Sequence, residues 1–182
     1  MLGEAARAFL LANELKPRAG EDFSSLYNRV AAALGAFGDE DTCVSILTMR
    51  DEKRGRRYGE LHWRLVTLDL AEVTVWPGMS QLNPALTGGS VLDVAERLRG
   101  EQLPEEAGRL SRLLRLSDEI GVAAAMEWLT LLPLLALPDA TLHERAIVPA
   151  QYWTLDDGCA RSVTLATLGV TSVRAYVGEP EK

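Results

Sequence analysis

The sequence predicts an α+β fold, and three observations lead there. Apolar residues recur at three- and four-residue steps near the N-terminus and again through the middle of the chain. Between and after those stretches, β-branched, aromatic and aliphatic residues interleave with polar ones, the pattern of strands. Hydrophobic residues make up 47% of the 182 and charged residues 25%, which suits a chain with one substantial core rather than a disordered one. No repeat, low-complexity tract or linker divides it, so one domain over 1–182 is the simplest organisation.

Residues 3–15 suit a first helix, with Pro17 closing it, and Asp22 opens a second that runs to about Gly38. Phe23, Leu26, Tyr27, Val30, Leu34 and Phe37 lie along one side of the second helix. The period then changes. Cys43–Met49 and Tyr58–Leu68 read as strands joined by the charged, glycine-containing stretch DEKRGRR, which makes a central antiparallel hairpin or meander over about 42–76. In that register Cys43, Leu47, Met49, Leu61, Trp63 and Leu65 share a core face, with Trp63 packed on Leu47 and Leu61. Val44, Ile46, Glu60, His62 and Arg64 share the other face.

Ala71–Trp76 reads as a third strand and 77–89 as a long loop. A helical middle covers about 90–136. Ser90 and Asp93 form a capping box, Pro104 starts a helix carrying Arg109, Arg112 and Arg115, and Ser117 caps one reaching Pro133 or beyond. A small β-containing C-terminal part follows, with strand-like pieces around Ile147 and 152–155. Residues 158–168 fit a helix stopping at Gly169 before a strand at 172–177, although Val163, Thr164 and Thr167 also favour a strand.

Charge narrows the functional classes. The formal net charge is -7, and residues 1–91 hold ten basic against twelve acidic residues while 92–182 hold nine against fourteen. Neither half carries the basic footprint of a general nucleic-acid binder. Five of the nineteen Lys and Arg residues nevertheless gather at Arg50, Lys53, Arg54, Arg56 and Arg57, followed by Tyr58. These six residues are the candidate binding set, presented on the 50–57 loop. A solvated turn, a contact with an acidic protein patch and a local nucleic-acid fingertip all fit that composition.

Two cysteines, without CxxC spacing or a nearby His, support neither a disulfide framework nor a zinc site. The tract 120–138 is interrupted by Glu127 and Pro133 and reads as a buried helix rather than a membrane span. The expected compartment is the cytoplasm, with reduced thiols. Phosphate-loop, dinucleotide-binding, nucleophile-elbow and zinc-protease motifs are missing, and no cofactor is implied. Glu127, the one charge in an otherwise apolar helix, would have to find a partner or lose its charge if buried. His62, between Glu60 and Arg64, is the other acid/base candidate.

These readings favour a non-catalytic acidic interaction module, of the inhibitor, immunity or adaptor kind, acting through 50–57 and/or 77–89. A protein partner or a homodimer is expected, and no membrane. The alternatives are a small hydrolase- or transferase-like enzyme using Glu127 or His62, and a local nucleic-acid binder.

Overall fold

The computed structural model describes residues 1–15, 18, 21–75, 89–99, 108–138 and 153–180. Its helices are α1 (Leu2–Glu14), α2 (Phe23–Ala36), α3 (Glu40–Arg50), α4 (Glu52–Gly59), α5 (Val91–Leu98), α6 (Gly108–Ile120), α7 (Val122–Thr130) and α8 (Cys159–Thr167). The strands are β1 (Leu61–Asp69), β2 (Val73–Thr74), β3 (Leu134–Pro138), β4 (Trp153–Asp157) and β5 (Ser172–Pro180). They form one mixed sheet in the order β1-β5-β3-β4-β2. β1 runs antiparallel to β5 along its whole length, with Trp63 opposite Gly178. β3 is parallel to β5 and antiparallel to β4, which is parallel to β2.

Strand alternation places helices on both faces of this sheet. Along β3, Leu134 and Ala136 join one buried cluster while Leu135 and Leu137 join the other. The first cluster holds Val91 and Val94 of α5, Leu113 of α6, Leu129 of α7 and Val163 of α8. The second holds Ala5 and Leu11 of α1, Leu47 of α3, Tyr58 of α4 and Trp63 of β1. A strand covered on both faces reads as a continuous apolar run, which is what LLALP is.

The α+β class predicted from the sequence is the class observed, but no hairpin or meander forms among the described residues 42–75, and the expected third strand is only Val73–Thr74 after a 3-10 turn at Leu70–Glu72. Residues 43–49 belong to α3, and the partner of β1 is β5, from the far end of the chain. The physical reason is capping. Asp39 accepts from the Thr42 backbone N–H at 2.8 Å, Glu40 and Asp41 follow in the first turn, and Arg50 closes the last. Buried Cys43 and Leu47 stand four residues apart, while Met49 is 79% exposed, so the burial period is helical. Alternating Thr42, Val44, Ile46 and Thr48 imitate a strand in the sequence alone.

Other local signals hold. Asp22 caps α2 by accepting from Ser25 N–H, and Ser90 and Asp93 complete the capping box of α5. The helix–turn–strand reading of the C-terminal segment is also the observed one, as α8 and β5. Ser117 lies inside α6 rather than capping a new helix, because the break comes at Gly121, whose φ of 85° lies in the left-handed region. The expected helix start at Pro104, the strand near Ile147 and the loop at 77–88 lie outside the described residues. Among the described residues, no helix is long and apolar enough to cross a membrane.

Candidate functional site

The run RDEKRGRRYGE is where two helices meet. Asp51 separates α3 from α4 and caps the latter, accepting from the Arg54 backbone N–H at 3.0 Å. In a helix, residues three and four apart share a face, so Arg54, Arg57 and Tyr58 point the same way. They converge on Asp156 in β4. Arg54 Nε donates to Oδ2 at 3.0 Å, Arg57 Nη2 to Oδ1 at 2.6 Å, and the Tyr58 hydroxyl to Oδ2 at 2.7 Å. The Asp156 side chain is 4% exposed. Arg54 also pairs with Asp51, and its guanidinium lies 4.3 Å from the centre of the Phe9 ring.

The electrostatics of this cluster are self-contained. Burial works most strongly against the Arg54 charge, and Asp156 together with Tyr58 and Asp51 more than offsets it. Burial, followed by the charge and hydrogen bond of Asp156, pushes the Tyr58 phenol well above its ordinary value. Tyr58 therefore remains a proton donor to the carboxylate at neutral pH. With two guanidinium donors and one phenol on a sealed carboxylate, Asp156 acts as an electrostatic pin between α4 and the sheet.

A second pair lies next to it. Asp157 accepts from Arg161 Nη2 at 3.2 Å, and Arg161 Nη1 donates to the Leu132 carbonyl at 2.8 Å. Gly158 makes the turn from β4 into α8 with φ 99°, and a Cβ there would lie 2.4 Å from Leu134 Cδ2. Only glycine fits that position without displacing the core.

Gly55 sits in the middle of the charged run for a different reason than a turn. A Cβ on it would lie 2.7 Å from Thr48 Cα, so glycine lets α3 and α4 approach backbone to backbone. Gly55→Ala is expected to lower stability by about 1–3 kcal/mol through overpacking, despite the better helix propensity of alanine. Urea denaturation checks this; a variant as stable as the wild type would show that the two helices separate freely.

The six candidate binding residues thus divide. Arg54, Arg57 and Tyr58 turn inward to Asp156, whereas Arg50, Lys53 and Arg56 remain exposed, Arg56 in a surface pair with Glu52 at 3.2 Å. His62 is exposed on β1. Glu127 is exposed on α7, contrary to the expectation of a buried carboxylate. Gly121 shortens α7 to nine residues and aims Ala125, Trp128 and Leu129 at the core, which leaves Glu127 facing out. Cys43 is fully buried and its thiol is pushed up, first of all by that burial. Among the described residues, no group of three or more His, Cys, Asp or Glu could hold a metal ion. No protein-family model, curated protein or solved structure matches this chain.

Asp156 was not singled out by sequence reasoning. Its only signal is the DDG at a strand end, which gains meaning once a cationic partner is known. An exposed apolar face was also missed. Tyr27 of α2 is 57% exposed and Leu131 just beyond α7 is 45% exposed, with Ala123 and Ala124 also open, while the 53% exposed Val122 lies on the opposite flank of α7. The Tyr27 ring lies 6.2 Å from that of Trp128, and Phe23 meets the same indole edge-on at 5.2 Å, joining the two helices beneath the face.

Proposed function

We propose that this protein is a non-catalytic interaction module whose main contact surface is the α2–α7 face. The observation that carries the reading is the presence of two large exposed apolar side chains, Tyr27 and Leu131, on the two elements that Trp128 joins, with Ala123 and Ala124 also open. Large exposed apolar patches mark interaction sites more often than they mark ordinary monomer surface. A tyrosine beside a tryptophan-backed platform adds the residue types that dominate binding energy. The outward side of α3 and α4, with Met49, Arg50, Lys53 and Arg56, is the remaining part of the basic stretch that a partner could reach.

The test compares three forms of the chain in pull-downs from native extract. Tyr27→Ser with Leu131→Asp is expected to lose the specific partner while changing stability by no more than about 0.5 kcal/mol, as exposed positions do. Arg50, Lys53 and Arg56 all changed to Ser should leave both stability and capture near wild type. Loss of capture in the basic variant alone would place the contact at α3–α4 instead. Unchanged capture by both variants would refute the reading.

A further inference from the structure

We infer that the α2–α7 face takes an apolar helix bearing a lysine or arginine that meets Glu127; this rests on the interaction-module reading above. Glu127 stands on the same exposed side as Ala123, Ala124 and Leu131, one turn from each. Residues 116–138 contain Asp118, Glu119 and Glu127 and no Lys or Arg; in α2, residues 23–28 contain no cation, and Arg29 is tied to Glu14 and Glu21. Asp118 and Glu119 are exposed in the last turn of α6, immediately before the face begins. No ion pair to Glu127 forms among the described residues. The face is therefore apolar with acidic charge only.

An occupant that covers this surface removes water from the Glu127 carboxylate. Leaving that charge buried and unpaired carries a large penalty, which a cation on the occupant removes. Small residues at Ala123 and Ala124 let a second helix approach closely, so the two backbones can pack at a short interaxial distance. A second copy docked through the same face is the poorer fit. Glu127 is near the middle of α7, so a two-fold axis through that helix brings two carboxylates together.

Two 18-residue helical peptides provide the probe. Both carry an Ala/Leu apolar face and an uncharged Gln polar face, and they differ only in a central Lys or Glu on the apolar face. Isothermal titration against the full chain should show the Lys peptide binding about tenfold more tightly than the Glu peptide, as expected for one charge pair at a partly desolvated contact. Glu127→Lys should invert that preference, and Leu131→Asp should abolish binding of both. Amide shifts on binding should concentrate in α2 and α7. Equal affinities, a preference that survives Glu127→Lys, or no binding of either peptide would overturn the inference. So would a concentration-dependent dimer by sedimentation that Leu131→Asp dissolves, which would put a second copy on the face. Loss of the native partner in Tyr27→Ser/Leu131→Asp together with equal peptide affinities would leave the interaction module standing and remove only the cation.

Discussion

Asp156→Ala should destabilise the fold by about 2–4 kcal/mol. Removing one partner of a buried ion pair typically costs about 3–5 kcal/mol, and the lower figure applies because the guanidinium groups are partly screened. The Arg54 and Arg57 side chains are 26% and 29% exposed, against 4% for Asp156. Arg54 keeps Asp51 after the change, but Arg57 Nη2 loses its carboxylate and Arg57 Nε is already buried without a hydrogen-bond partner among the described residues. The Tyr58 hydroxyl, inside a fully buried residue, is left without its acceptor. Asp156→Asn should cost less, since an amide oxygen can still accept from Tyr58. Urea midpoints at constant m-value decide the matter, and an Asp156→Ala variant within about 0.5 kcal/mol of wild type would show that the pin is not holding α4. Replacing Arg54, Arg57, Tyr58 and Asp156 together with apolar residues of similar volume should recover much of the loss, because the desolvation of the charges disappears with them.

Trp63→Ala should cost about 3–5 kcal/mol, the usual range for truncating a buried aromatic. Trp63 is 3% exposed, its ring lies 4.6 Å from that of Tyr58, and its Nε1–H donates to the Tyr58 carbonyl at 2.9 Å. Gly178 faces it across β1 and β5, and a Cβ there would stand 3.0 Å from the Trp63 ring. Truncation therefore opens a cavity between the sheet and α4 and removes the indole donor from the Tyr58 carbonyl at the end of that helix. Equilibrium unfolding measures the loss, and intact stability would mean that the Trp63 ring lies outside the packed core. Because Trp63 and Asp156 both act on Tyr58, the double variant should fall short of the sum of the single effects.

The two predictions stand differently with respect to the sequence. Burial of Trp63 beside Leu47 and Leu61 was legible from its place in an alternating run, although the strand it was paired with was the wrong one. Alternation reports which side of a strand is covered and says nothing about which segment covers it. Asp156 was illegible, because an aspartate at a strand end looks the same whether it meets water or two arginines. Glu127 was legible as an anomaly and misjudged in direction. An apolar helix with no polar side looked buried all round, yet α7 buries one face and leaves the rest open.

The α+β class and the caps at Asp22 and Ser90–Asp93 followed from the sequence by itself, while 158–168 was open between helix and strand until the structure made it α8. Each depends on residues within a few positions of one another, where backbone sterics and local hydrogen bonds are decisive. The helix at 43–50 was missed because β-branched alternation masked the Asp39 cap, and the burial of Cys43 and Leu47 four residues apart is consistent with that cap. Tertiary structure alone decided that half of a basic stretch would be turned inward. Arg54 and Tyr58 meet Asp156 across 102 and 98 residues of chain, a separation over which no local pattern carries information. A carboxylate almost sealed from water, at the end of a strand from the far end of the chain, is what turned those charges from a surface into a fastening.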